Sequence, residues 1–225
     1  MNNENRKLWY PKDASDQEAA MLFKESWTQD YYRRLGWHEE GMESIAGYGT
    51  SLGALATTIE ELPNIFAKYE INSILDAPCG DFYLMKKIDL SDVKYIGIDL
   101  VDEQIERNKL LYPSFDFRAM NMVTDELPLC DLVFSRDILI HLSDDDIIRY
   151  ITNCKKSGIK YLMTSTYPDL AQNQEMGGIH GWRFINFEIA DWNFPKPLEL
   201  INENSQIDPI KCMGLWRLED LNLNK

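Results

Sequence analysis

Ser73-Ile-Leu-Asp-Ala-Pro-Cys-Gly-Asp-Phe82, answered further on by Tyr95-Ile-Gly-Ile-Asp99, decides the fold of this chain. Each run is a short apolar segment of strand composition that ends in an acid, and the first breaks into a Pro/Gly turn before a helical pattern begins. Asp76 and Asp99 stand 23 positions apart. That is close to the ~20 expected when a strand–turn–helix–strand unit carries an acid to the ribose of an adenosine-containing ligand.

The same rhythm extends outward. Residues 71–77 read as a strand, 81–88 as a short helix, 94–99 as a second strand and 102–111 as a helix. Residues 115–119 and 129–135 make two more strands. Ser143 opens a helix running to about Lys156, and 159–165 is a fifth strand. Strands alternating with helices imply parallel βαβ units with right-handed crossovers. At the C-terminus, residues 198–204 and 211–218 are two strands joined by a link too short for a crossover helix, so they are expected to pair antiparallel. The predicted architecture is α/β: a Rossmann-like, seven-stranded, mostly parallel sheet with a C-terminal antiparallel hairpin and helices on both faces. An N-terminal helical cap (1–68) precedes the core (69–225), and Thr50 or Ser51 is the candidate N-cap of the helix that follows. Residues 167–197 form a long aromatic and polar segment without a period, read as a substrate-covering loop.

Composition narrows the function. With 225 residues, a single core of good size is expected. A net charge of −14 argues against nucleic-acid partners, which need Lys and Arg to neutralise phosphates. No apolar run reaches the ~20 residues of a membrane span, and the polar start carries no secretory pattern, so the expected compartment is the cytoplasm. Cys79, Cys130, Cys154 and Cys212 are scattered, with no C-x-x-C pair, and are read as packing residues. Asp144-Asp145-Asp146 directly after Ser143 is the first turn of a capped helix rather than a metal site, and no metal is expected.

With strand, turn and acid in place, the chain resembles the class I S-adenosylmethionine-dependent methyltransferases over roughly residues 73–165. Their glycine-rich first motif matches Leu75–Phe82, their second acid matches Asp99, and their fourth-strand element matches Cys130–Leu142. The resemblance implies S-adenosyl-L-methionine as cofactor, held by Asp76, Ala77, Cys79, Gly80, Asp99, Leu100, Asn121, Met122 and Arg136. Two positions depart from the pattern. Phe82 stands where the family usually has glycine, and Asn121 where it commonly has the Asp that meets the adenine amino group. The strings at 76–82, 47–51 and 193–197 are similar to a bacterial branch associated with glycan and sugar-nucleotide modification.

Methyl transfer to a hydroxyl requires alignment of the acceptor and removal of a proton. Asp137 and His141 lie four apart just past the fourth strand, and on a helix they would share a face, Asp137 orienting His141 as the base. An imidazole suits that work near neutral pH better than a free carboxylate. His180 is a second candidate base. Tyr48, Thr50, Asn173, Arg183 and Asn186 are candidate contacts to a small polar acceptor, a sugar or sugar nucleotide being favoured. N-methylation of a small amine and a non-catalytic cofactor-binding protein are the alternatives. A dinucleotide oxidoreductase is disfavoured because the turn lacks G-x-G-x-x-G.

Overall fold

The computed structural model describes residues 21, 24, 25, 28, 29, 43–45, 50–175, 182–203 and 210–223. Tyr48 and His180, both candidate site residues, lie outside them. The described elements are α1 (Leu52–Lys68), β1 (Ser73–Asp76), β2 (Lys94–Asp99), α2 (Asp102–Leu111), β3 (Asp116–Ala119), β4 (Leu132–Ser135), α3 (Asp144–Lys156), β5 (Tyr161–Thr166), β6 (Glu199–Asn202) and β7 (Cys212–Arg217). They build a seven-stranded sheet of order β3-β2-β1-β4-β5-β7-β6. Strands β1 to β5 are parallel, while β7 runs antiparallel to both β5 and β6. The expected parallel core with its antiparallel C-terminal pair is therefore the architecture found.

Period-two alternation divides the apolar residues between the two faces. Leu75, Ile96, Ile98, Val133 and Leu162 point to one side, where they meet Ile147, Tyr150, Ile151 and Cys154 of α3. Ile74, Tyr95, Leu132, Phe134 and Met163 point to the other, against Leu55, Leu62, Ile65 and Phe66 of α1 and Ile105 of α2. The helix α1 thus covers this second face of the sheet. Ser51 rather than Thr50 is its N-cap, accepting from Ala54 N, and Ser143 caps α3 by accepting from Asp146 N. On β7, Gly214 leaves room for Trp216: a Cβ there would lie 2.3 Å from the indole.

The short helix expected over residues 81–88 does not form. A turn takes its place, with one 3-10 turn at Met85–Lys87. Gly80 and Phe82 both adopt left-handed backbone, φ +50° and +61°, which no α-helix can pass through. In this chain Phe82 holds that geometry by packing: its ring lies 4.9 Å from Tyr95, 5.0 Å from Tyr112, 4.8 Å from Phe115 and 5.3 Å from Phe117.

The described residues of the long segment after β5 form no helix or strand but are firmly packed. Phe187 stacks on Phe194 at 5.1 Å, and both rings meet Trp216 edge-on. Asn173 and Asn186 bind this segment to itself. Asn173 Oδ1 accepts from Asn186 N at 2.7 Å, and Asn186 Nδ2 donates to the Pro168 and Leu170 carbonyls at 3.0 Å.

Candidate active site

The carboxyl ends of β1, β2 and β4 share one sheet edge, so the chain's strand-end acids converge there. After β1 the backbone keeps pairing sideways: Ala77 N donates to Phe134 O at 2.9 Å, and Cys79 N to Ile98 O at 2.8 Å. The Ala77–Pro78 peptide within this turn is cis. Beyond the turn opens a cavity of about 410 Å³, walled by Asp76, Gly80, Asp99, Asp137, His141 and Trp182 among others. A second, largely apolar slot of about 100 Å³ adjoins it, lined by Ile98, Leu100, Met120, Asn121, Met122 and Leu142. Pro78, Asp99 and Ile138 border both spaces, so Asp99 stands at their junction.

Each acid has its own environment. Asp76 is buried and accepts from Tyr95 Oη at 2.7 Å. Burial pushes its carboxyl up to about 8, the Tyr95 hydrogen bond opposing and the Asp99 charge adding to the rise. Gly97 makes this contact possible, since a Cβ there would fall 2.8 Å from the Tyr95 hydroxyl. Asp99 accepts from Val101 N at 3.0 Å and from Gly80 N at 3.2 Å. Burial raises its carboxyl, and those backbone donors counter it. Cys79 lines the cavity as a neutral thiol, pushed well up by burial and by the adjacent Asp99 and Asp76. Asn121 turns its amide oxygen to Val123 N at 2.9 Å, along the wall of the apolar slot.

The far side of the cavity holds a charge cluster. Arg136 donates through Nε and Nη2 to the two oxygens of Glu203, at 2.9 and 3.0 Å, and its Nη1 lies 3.0 Å from Asp137. Lys211 donates to Asp137 and lies 3.0 Å from Glu203, which also accepts from Thr58 Oγ1 at 2.9 Å. Ser165 Oγ donates to Asp137 at 2.8 Å. Burial would raise the Asp137 carboxyl, but Arg136 and Lys211 outweigh it and hold the group at about 2. Asp137 is therefore a permanent anion, too weakly basic to abstract a proton near neutral pH.

The helical face proposed for Asp137 and His141 is not formed. Asp137 has φ +57°, and His141 ends a 3-10 turn, Leu139–His141, that begins two residues later. The Asp137 carboxylate is held by Arg136, Lys211 and Ser165, while His141 enters the cavity wall from the 3-10 turn. Arg136 likewise lines the cavity, with its guanidinium engaged by acids. Of the candidate acceptor contacts, Thr50 is in the wall, but Asn173, Asn186 and Arg183 are not. Arg183 instead pairs with Asp144 at 2.5 Å, beside the start of α3.

Several site residues escaped the sequence reading. Tyr95 lies in a predicted strand, Glu203 and Lys211 in the two C-terminal ones and Gln104 in the predicted helix 102–111, and the sequence marks none of them as a site residue. Gln104 Oε1 is a buried acceptor without a hydrogen-bond partner among the described residues. Asp81 accepts from Ser44 Oγ at 3.0 Å and Ile45 N at 3.1 Å, which docks residues 43–45 over the turn. The position of Gln104, three into α2 after a strand-end acid, was the one available signal.

The seven-stranded sheet with its parallel core and antiparallel C-terminal pair is a fold shared with solved S-adenosylmethionine-dependent methyltransferases. Among solved structures, the chain is similar to magnesium protoporphyrin IX methyltransferase from Synechocystis PCC 6803 with bound SAM, at TM-score 0.60 and 11% identity over 92% of this chain and 99% of that one. It is equally similar to 1,6-didemethyltoxoflavin-N1-methyltransferase from Burkholderia thailandensis, with bound 1,6-didemethyltoxoflavin and S-adenosylhomocysteine, at TM-score 0.60 and 12% identity over 92% of each chain. The N-methyltransferase NodS from Bradyrhizobium japonicum WM9 follows at TM-score 0.54 and 12% identity, over 76% of this chain and 98% of that one. No protein-family model matches the sequence, and no curated protein matches it either.

Proposed function

We propose that the chain is an S-adenosylmethionine-dependent methyltransferase that methylates a hydroxyl of a small polar acceptor, a sugar in a nucleotide-linked or glycan precursor. The observation that carries the reading is the two-part cavity hinged on Asp99. Its apolar slot has the size and lining for an adenine ring, and its wider part holds acceptor groups. The residues suit such a cofactor: Leu100, Met120 and Met122 for the base, Asp99 for the ribose, and Asp76 with the Gly80 turn for the cationic end. When bound, S-adenosylmethionine supplies a methyl group already activated on a sulfonium.

The chain's own residues then do three things. Trp182 and Tyr167 present aromatic surface to the wider cavity, a good platform for the apolar face of a sugar ring. His141 receives the hydroxyl proton, since Asp137 is held too acidic to do so. The Arg136–Glu203–Lys211–Asp137 cluster, two cations matched by two anions, fixes the wall without adding net charge to it. That electroneutrality suits an uncharged polyol end.

Calorimetric titration with S-adenosylmethionine, S-adenosylhomocysteine and NAD, followed by a methyl-transfer screen over sugar nucleotides, tests the proposal. Micromolar binding of the two sulfur ligands with NAD silent is the expected outcome. His141→Ala should then lower kcat by roughly 10²–10⁴-fold while leaving S-adenosylhomocysteine binding unchanged. Binding of NAD alone would overturn the cofactor assignment, and an unaffected kcat would remove His141 as the base.

A further inference from the structure

A relay of hydrogen bonds crosses the cofactor turn and ends on an acceptor with no structural duty. Gly80 N donates to Asp99 at 3.2 Å, and Gly80 O accepts from Asn108 Nδ2 at 2.7 Å. Asn108 Oδ1 accepts in turn from Gln104 Nε2 at 2.8 Å. The orientation of both amides follows from the carbonyl at Gly80. That oxygen can only accept, so Asn108 must face it with nitrogen, and Gln104 must face Asn108 with nitrogen. Gln104 Oε1 is thereby turned out of the relay. Gln104 is 2% exposed, it lines the 410 Å³ cavity, and this oxygen has no partner among the described residues.

The ordinary use of a glutamine at this place is a capping box, in which the third residue of a helix reaches back to the N–H of the N-cap. Val101 is the N-cap of α2, and its N–H is already donated to Asp99 Oδ1 at 3.0 Å. Asp99 performs the capping, and the glutamine oxygen is left over. Gln104 and Asp99 both line the 410 Å³ cavity, and the relay through Asn108 and Gly80 ties the two side chains together. A buried acceptor without a donor is costly, and it is retained where a ligand supplies the donor.

We infer that Gln104 is a specificity-determining residue, whose amide oxygen joins the Asp99 carboxylate as a paired acceptor for the two vicinal hydroxyls of the ligand's ribose. This rests on the reading of the cavity as an adenosyl site. Two acceptor groups, fixed by one relay, match two O–H donors. They oppose a phosphorylated ribose, which would bring further acceptors and negative charge against them.

The test is a titration of the full chain, wild type and Gln104→Leu, with S-adenosylhomocysteine and its 2′-deoxy and 3′-deoxy analogues. Q104L should bind S-adenosylhomocysteine about 10- to 50-fold more weakly than wild type. One deoxy analogue should lose a similar factor on wild type, yet bind Q104L as well as S-adenosylhomocysteine does, because the bond it lacks is already gone. A packing role for Gln104 would weaken all three ligands alike, and losses that simply add, or an unchanged dissociation constant in Q104L, overturn the inference while leaving the cofactor site intact. If wild type fails to bind S-adenosylhomocysteine, both readings fall together. Should Q104L not fold by circular dichroism, Gln104→Asn, which withdraws the oxygen by one methylene, carries the same comparison.

Discussion

Asp76 and Asp99 end adjacent strands of one sheet edge, but their surroundings prepare them for different work. Asp99 accepts two backbone N–H groups, whereas Asp76 is buried against a tyrosine hydroxyl, with its carboxyl pushed up to about 8. Near neutral pH the free protein therefore holds Asp76 largely protonated. A ligand bearing sulfonium and ammonium charges favours the carboxylate form, so its binding must release a proton. The sign follows directly: affinity for S-adenosylmethionine should rise with pH from about 6 to about 8 and level off above. The slope is at most about tenfold per pH unit. Titration at several pH values in buffers of different ionisation enthalpy reads both effects, and Asp76→Asn should flatten the profile; a flat wild-type profile would refute the linkage. The two acids themselves were legible in the sequence, because a strand-end acid followed by a turn is a local pattern. Their unequal basicity was not, since it depends on Tyr95 passing over Gly97, and only packing brings those side chains together.

At the scale of elements, the ends of β4, β6 and β7 are joined by charge. Glu203 is 1% exposed, and it accepts from Arg136 of the β4 end and Thr58 of α1 while facing Lys211 before β7. Removing its charge would take an anion away from the two buried cations Arg136 and Lys211. Breaking such a cluster on one side costs about 3–5 kcal/mol. Glu203→Gln should therefore lower unfolding free energy by that amount in urea, with little change in m. The same substitution at Glu199, whose partner Lys68 is well exposed, should leave the unfolding midpoint where it is. Periodicity announced the strands that these residues terminate, because alternation of apolar side chains is written locally. The cluster could not be read so, as its members come from distant parts of the chain. The absent helix at 81–88 has a similar cause. Its sequence is compatible with a helix, but the aromatic cluster around Phe82 holds the backbone left-handed at its start.

For the whole molecule, the cavity is completed from outside the sheet. Residues 43–45 lie over the turn that follows β1, held where Asp81 accepts from Ser44 Oγ and Ile45 N and where Tyr83 Oη donates to Glu43 at 2.6 Å. Ile45 is in the cavity wall, so this docking shapes the space a ligand fills. The two sheet-face cores, by contrast, do not include these residues. Segments with few apolar contacts open at low free-energy cost, whereas core elements open only with the whole domain. Asp81→Ala removes the shared acceptor while leaving both cores untouched, and ligand affinity and global stability should therefore separate. Binding of S-adenosylhomocysteine should weaken about tenfold, while the Tm of the ligand-free protein falls by less than about 3 °C. Calorimetry and a thermal melt on the same preparation measure both. A large drop in Tm would mean that residues 43–45 are part of the cooperative core, and unchanged affinity would mean that they do not bear on the ligand. Tyr83→Phe, which gives up only the bond to Glu43, should shift affinity the same way by a smaller factor, because the Asp81 contacts still hold the segment against the turn.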